Sequence, residues 1–175
     1  VTHPTDIVIW TTTPWTLPAN QAVALHAEID YQLVEVQSER GTQNLILAKD
    51  LVESACERYK LENPKVLADF VGAKLENLQL QHPLITDRQV PVILGEHVIA
   101  TSGTGAVHTA PRHGVDDYKV GLSYNLKVEN PVGGNGVYLP TSPLFAGERI
   151  YKANPTIIVT LSSIGKLWAH LPIKH

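Results

Sequence analysis

Apolar residues in this chain come in short runs, and nearly every run is closed by glycine, proline or a polar cluster. Such runs are too short for ordinary helices and suit strands buried on one or both faces. Asp6–Trp10 (DIVIW) reads as a buried strand, and Tyr31–Val36 (YQLVEV) alternates as a half-buried strand does. Ser38–Thr42 (SERGT) has turn composition, so Tyr31–Val36 is expected to pair with Asn44–Ala48 (NLILA) as a hairpin. Lys65–Phe70, Leu78–Gln81, Val90–Leu94, His97–Ala100 and Ala106–Thr109 read as further strands, and a last one is expected around Leu167–Leu171. Lys49–Lys60 changes period: Leu51, Ala55 and Tyr59, with Val52 and Cys56 beside them, form one apolar helical stripe and make Cys56 a core residue. A second helix is expected through Tyr118–Tyr124, capped by Asp116 or Asp117. A third is framed by Asn154 as N-cap, Pro155 at the first helical position and Gly165 past the end. Asn130–Gly136 is too rich in turn formers for regular structure, with Gly133–Gly136 as a turn or hairpin tip. Consecutive strands lack the intervening helices of a parallel sheet, so mixed α+β with mostly antiparallel strands is expected.

Composition bounds the function. Hydrophobic residues make up 43% of the 175 and charged residues 18%, which suits one folded domain and excludes intrinsic disorder. No run approaches the ~18 apolar residues of a membrane span. The opening VTHPTDIVIW lacks the basic region of a signal peptide. A net charge of −3 argues against a free-standing nucleic-acid binder, but not against a nucleic-acid end held by something else. Cys56 is the only cysteine, which rules out an internal disulfide or a cysteine zinc site and fits a reducing, cytoplasmic setting. Methionine is absent even at position 1, so the chain is expected to be excised from a longer one, unless processing or an omitted start accounts for the missing residue.

Two segments concentrate polar chemistry. In Trp10–Asn20 (WTTTPWTLPAN) four threonines lie within six residues, and Pro14 pushes Thr13 towards an extended conformation. Hydroxyls there suit a water, a ribose or an ester oxygen, although threonine before proline is also ordinary loop sequence. Gly103–Tyr118 (GTGAVHTAPRHGVDDY) packs two histidines, two aspartates and three glycines into a strand–loop–helix segment. A helix N-terminus favours a carboxylate, and an enclosed carboxylate suits an ammonium partner. The plainer alternative is that Asp116 or Asp117 only caps the helix and His108 is a core histidine. His108, His113 and Asp117 could also form a two-histidine, one-carboxylate metal site, although the spacing is not that of HExxH. Gly103–Gly105 is no dinucleotide fingerprint, and neither a GxSxG elbow nor a GxxxxGK[ST] loop occurs.

Taken together, TTTPWTLPAN at Thr11–Asn20, LAKDLVE at Leu47–Glu53, GTGAVHTAPRHGVDDY at Gly103–Tyr118 and NPVGGNGVY at Asn130–Tyr138 resemble the editing domain inserted in isoleucyl-tRNA synthetase. The similarity runs in order over nearly the whole chain. Related leucyl and valyl enzymes usually have arginine where this chain has Thr13, and an acidic residue where it has Trp15, which favours the isoleucyl member. The fold this implies is a strand-rich, mostly antiparallel, barrel-like α+β domain with a few peripheral helices, spanning residues 1–175 as a single editing domain.

The resemblance implies a hydrolase that removes valine from the 3′ end of misacylated isoleucine tRNA, and that also acts on valyl-adenylate. A missing methylene changes pocket binding by only about 1–3 kcal/mol, a magnitude established on this same enzyme family rather than obtained from this chain. A second, valine-sized pocket therefore has to reject isoleucine. On matching positions Asp117 would bind the α-ammonium, His108 would line the side-chain pocket, and Trp15 would form another wall. Thr11, Thr12 and Thr13 would hold the terminal adenosine and position water, supported by Thr16 and Asn20. Backbone around Gly105 and Thr109 would contact the adenosine. No general base stands out, so catalysis by positioning and oxyanion hydrogen bonds is expected, without a metal or other cofactor. Asp117→Ala is expected to abolish editing and leave the fold intact. Arg112 stands where bacterial relatives often have glycine, and would either contact phosphate or alter access. The alternative is an aminoacyl-adenosine binding module that is silent without the parent synthetase. Neither a HIGH-type nor a KMSKS-type sequence is present, so no tRNA charging is expected, and the chain is expected to be a monomer.

Overall fold

The computed structural model describes residues 3–170. Among the described residues eight strands form two four-stranded sheets: β1 (Thr5–Ile7), β2 (Ala22–Leu25), β3 (Asp30–Ser38), β4 (Gly41–Ala48), β5 (Glu62–Val71), β6 (Gln79–Gln81), β7 (Gln89–Leu94) and β8 (Val107–Thr109). The helices are α1 (Val52–Arg58), α2 (Val115–Ser123) and α3 (Ile150–Ser163). None among the described residues is long and apolar enough to cross a membrane.

The strand orders are β1-β4-β3-β5 and β6-β7-β2-β8. Both sheets are open and mixed, which corrects the expected mostly antiparallel, barrel-like arrangement. The β3–β4 hairpin and the β3–β5 and β6–β7 pairs are antiparallel, whereas β1 pairs with β4 and β2 with β7 in parallel. A parallel pair needs a long connection, most often a helix. Here the partners are not consecutive, and the intervening strands themselves provide the crossover. Neither sheet closes: β1 and β5 are the edges of one, β6 and β8 of the other.

Two compact units divide the chain. The first comprises residues up to Trp10, Val23–Leu78 and Val92–His108. Its hairpin forms, with Ser38 opposite Gly41 and Asn44–Ala48 buried; Tyr31, Val34 and Val36 are buried too, Tyr31 on the opposite face of β3 from the other two, so burial is not confined to one alternating face. Burial of both faces of β4 follows from its central place between β1 and β3. Leu51, Val52, Ala55 and Cys56 are buried along the helical stripe. β5, an edge strand, is exposed over most of its length. His97–Ala100 is not a strand but a turn after β7, where the Gly95 N–H donates to the Leu25 carbonyl.

The second unit comprises Thr11–Ala22, Gln79–Pro91 and the chain from Thr109 onwards. A 3-10 helix spans Pro14–Ala19. α2 starts at Val115 with Gly114 at the cap position, so Asp116 and Asp117 lie in its first turn rather than at the cap. α3 starts one turn earlier than its Asn-Pro signal suggests, with Arg149 at the cap and Pro155 inside the helix. Ala153, Ile157 and Leu161 form its buried stripe at the i, i+4, i+8 spacing. Gly165 ends it as expected, with φ of 74° and the following Lys166 N–H reaching back to the Leu161 carbonyl. The Val132–Tyr138 bridge flanks the Gly133–Gly136 turn. Residues 167–170 form no strand, and position 171 of that expected strand lies outside the described residues.

Candidate functional site

The threonine segment belongs to the second unit and opens its 3-10 helix. Thr13, before Pro14, is kept out of the helical region, with φ −131° and ψ 73°, but its ψ falls short of the extended conformation expected from the sequence. Its N–H donates to the Thr11 hydroxyl at 3.0 Å. The Thr16 hydroxyl donates to the Thr13 carbonyl at 2.8 Å and lies 3.4 Å from the Thr13 hydroxyl. Thr16 is buried, so it braces the turn, while Thr12 and Thr13 are exposed. The Thr12 hydroxyl has no partner among the described residues and remains available to a ligand or water. Asn20 is buried, and its amide donates to the Ala22 carbonyl at 3.0 Å. The Thr109 carbonyl accepts from the Gln21 N–H at 2.9 Å.

Trp15 is half-buried and held from two sides. Its N–H, left without a helical partner in the first turn, donates to Asn154 Oδ1 at 2.9 Å. Its carbonyl accepts from the Tyr138 hydroxyl at 2.6 Å. Burial, aided by the Glu148 charge, pushes the Tyr138 phenol up to about 12, so it stays a donor at neutral pH. The Trp15 ring meets His113 edge-on, with centroids 5.0 Å apart and planes at 78°. Burial, and then the neighbouring Arg112 charge, hold His113 below the ordinary histidine value, which favours its neutral form.

Asp117 is half-buried in the first turn of α2. Its Oδ2 accepts from the Ala110 N–H at 3.0 Å. Gly114 leaves room for this carboxylate, since a Cβ there would stand 3.2 Å from Asp117 Cγ. The carboxylate therefore serves a buried backbone donor as well as any ligand. Pro111–Val115, Tyr118 and Val128 line an open concavity of about 450 Å³, and Asp117 is not among its walls.

In the first unit, Gly103–Gly105 is clamped in place. Tyr31 is fully buried and its hydroxyl donates to the Gly105 carbonyl at 2.6 Å. The Ala48 N–H donates to the Thr104 carbonyl at 3.0 Å. Gly103 and Gly105 have φ of 70° and 80°; a Cβ at either would stand 2.0 Å from Trp10 Nε1 or 2.5 Å from Ala48 Cβ. Only glycine fits both the dihedrals and the space. His108 sits on β8 and is buried.

Within the second unit, then, Thr11, Thr13 and Thr16 come together in one hydrogen-bonded turn. Among the described residues no three His, Cys, Asp or Glu side chains are arranged to hold a metal ion, so the His108, His113 and Asp117 alternative finds no ligand geometry. Sequence reasoning passed over Tyr138 and Asn154 as the anchors of Trp15, and over Tyr118 and Val128 beside Arg112.

A family model described as the leucyl-tRNA synthetase editing domain matches residues 1–142. The chain is 83% identical over its full length to an isoleucine--tRNA ligase of Acinetobacter baylyi, and 63% identical over 96% of its length to one of Psychrobacter arcticus. It spans less than a fifth of these relatives, 18% and 17% of their lengths. Among solved structures, GlLeuRS-CP1 superposes with a TM-score of 0.75 at 14% identity, covering 98% of this chain and 87% of that one. The P. knowlesi cytosolic leucyl-tRNA synthetase editing domain gives 0.69 at 10% identity, covering 93% and 82%. At such identities these two likenesses speak for the fold.

Proposed function

The chain belongs to the leucyl-tRNA synthetase editing-domain family, and from that premise we propose that it hydrolyses valine wrongly esterified to the 3′ end of isoleucine tRNA. Valyl-adenylate is a second substrate of the same chemistry. The observation that carries this reading is the coincidence of an editing-domain match with a likeness, along the whole of this chain, to about a fifth of the length of isoleucine--tRNA ligases.

Water adds to the ester carbonyl, the bond to the ribose oxygen breaks, and valine and free tRNA leave. In this proposal the Asp117 carboxylate anchors the α-ammonium and so fixes the carbonyl relative to the threonines. Thr11, Thr12 and Thr13 hold the terminal adenosine and the attacking water, with the unpartnered Thr12 hydroxyl the freest to do so. Thr16 and Asn20 act through the backbone they brace. Backbone at Gly105 and Thr109 contacts the adenosine. His108 and Trp15 wall the side-chain pocket, which takes valine and rejects the larger isoleucine by overlap. Ordering water and ester in one geometry supplies much of the acceleration, because an aminoacyl ester is already activated.

The parent synthetase would deliver the tRNA, since phosphate contacts dominate such binding and this chain carries a net charge of −3. That charge also favours the second reading, a module that binds the aminoacyl end but is slow alone. Deacylation of valyl- and isoleucyl-tRNA(Ile) by the chain, with EDTA present, tests both. Selective loss of valine is expected, and His108→Ala is expected to admit isoleucyl-tRNA. Absence of hydrolysis would leave only the binding reading, and EDTA-sensitive activity would overturn the metal-free mechanism.

A further inference from the structure

Side chains from outside grip the main chain of the Pro14–Ala19 3-10 helix, in which Pro14 and Pro18 have no N–H to give. Asn154 and Tyr138 hold Trp15 near its start. At its far end Arg88 Nη1 donates to the Pro18 carbonyl at 3.2 Å, and the Leu17 carbonyl lies 3.0 Å from His82 Nε2. His82 follows β6, is 2% exposed and plays no part in the mechanism above. Its Nδ1 faces the N–H groups of Leu84 and Ile85 at 3.0 and 3.1 Å, and a backbone N–H can only donate. Nδ1 is therefore bare, the proton sits on Nε2, and the ring donates it to Leu17. The loop that holds the ring is wound around one amide: Gln81 Nε2 lies 3.0–3.2 Å from the carbonyl oxygens of His82, Ile85, Thr86 and Arg88. All these residues belong to the second unit.

We propose that His82 is a positioning residue for the deacylation: its neutral ring pins the Leu17 carbonyl to the β6–β7 loop and so fixes the threonine turn. The inference rests on the reading that this turn holds the adenosine and the attacking water. Leu17 directly follows Thr16, whose hydroxyl braces the Thr13 carbonyl, so a shift of Leu17 is passed to that brace. The Leu17 carbonyl also accepts the Asn20 N–H at 3.0 Å, a bond that closes the helix but does not tie it to the loop. Of the side chains that grip the helix, His82 alone titrates between pH 5 and 8. A proton on Nδ1 would point at two backbone donors, and a charged ring that turns away from them lets go of Leu17 too. Among the described residues the charge that acts on the ring is that of Arg88, itself 3.8 Å from Glu129. The 3-10 helix has no ionisable side chain, and Asp87 in the loop is exposed. Burial first, and Arg88 as well, hold His82 below the ordinary histidine value against the opposing pull of the Leu17 bond, so the ring is neutral at pH 7.

The test compares the chain with His82→Gln and His82→Asn. Glutamine sets its amide where Nε2 stands and keeps the donor to Leu17. Asparagine reaches only the Nδ1 position and keeps the acceptor for Leu84 and Ile85. His82→Gln is expected to deacylate valyl-tRNA(Ile) in single turnovers within about threefold of the chain itself at neutral pH, and His82→Asn about tenfold or more slower. Relative to His82→Gln, the unsubstituted chain should lose about tenfold in rate as its His82 ring protonates, a ratio that removes the ester's own pH dependence. NMR of the ligand-free chain reads the same coupling without hydrolysis. The amide signals of Thr11, Thr12 and Thr13 should titrate with the His82 ring carbons, resolved from those of His113, and cease to do so in His82→Gln. A ring that merely holds its loop together gives the opposite order, with His82→Asn the more active. That order, equal rates for the two variants, a rate ratio flat with pH, or threonine amides that do not follow the His82 ring in the unsubstituted chain would each overturn the positioning role. If the chain hydrolyses nothing, the hydrolytic reading fails separately, because the NMR titration still decides the coupling.

Discussion

Replacing Asp117 separates two jobs that one carboxylate performs. Its Oδ2 accepts the N–H of Ala110, a residue only 1% exposed. Asp117→Ala strands that buried donor, at about 1–3 kcal/mol, and removes a first-turn carboxylate worth a further ~0.3–1 kcal/mol. Asp117→Ala should therefore lower unfolding stability by about 2–3 kcal/mol, contrary to the expectation from sequence that the fold would be untouched. Asp117→Asn keeps an acceptor of the same shape but makes the bond neutral, and should cost about 1 kcal/mol. For the ammonium, both changes remove the charge, so both should depress deacylation of valyl-tRNA(Ile) by roughly a hundredfold, equivalent to about 2.7 kcal/mol. Urea denaturation gives the first quantity and single-turnover deacylation the second. The signature is a variant, Asp117→Asn, that is nearly as stable as the parent yet inactive. Parent-like hydrolysis by Asp117→Asn would refute the ammonium anchor. Parent-like stability of Asp117→Ala would refute the energetic weight given to the Ala110 bond.

Tyr138→Phe deletes the 2.6 Å bond to the Trp15 carbonyl in a buried setting, and should cost about 1–2 kcal/mol. That corresponds to about 2–4 °C of melting temperature per kcal/mol for a chain of this size, and an unchanged melt would show that Asn154 and packing hold Trp15 alone. Burial holds His82 and His113 below their ordinary value near 6.5, with nearby Arg88 and Arg112 adding to it. The unfolded chain takes up those protons first, so stability is complete above pH 6.5 and declines as pH falls through the depressed folded values. Urea midpoints at pH 7.5 and 5.5 should show the drop, and an equal drop in a variant lacking both histidines would assign it elsewhere. Gly105→Ala forces a Cβ to 2.5 Å from Ala48 at φ 80° and should destabilise by about 2–4 kcal/mol, whereas Gly134→Ala, with open space around it, should stay within ~0.5 kcal/mol. Equal melts for the two glycine variants would contradict the clamp at Gly105.

Where neighbours in the chain decide the outcome, the sequence alone was sufficient. The β3–β4 hairpin, the buried Cys56 stripe, the non-helical Thr13 before Pro14 and the Gly165 stop all arise from short-range terms: turn composition, helical period, a locked proline and a left-handed glycine. Asp117 could be placed near a helix start for the same reason, although its exact turn position could not. Tertiary structure decided the rest. β2 (AVAL) is buried on both faces and so carries no alternation to read, and its parallel pairing with β7 spans most of the first unit's sequence. Asn154 reads as a helix cap because cap chemistry is local, yet its side chain accepts the N–H of Trp15, 139 positions away, and Tyr138 reaches the same residue across 123. Such bonds satisfy backbone groups that folding would otherwise bury without partners. Since any polar side chain brought close enough can serve, no local pattern announces which one will, and only the assembled fold chooses.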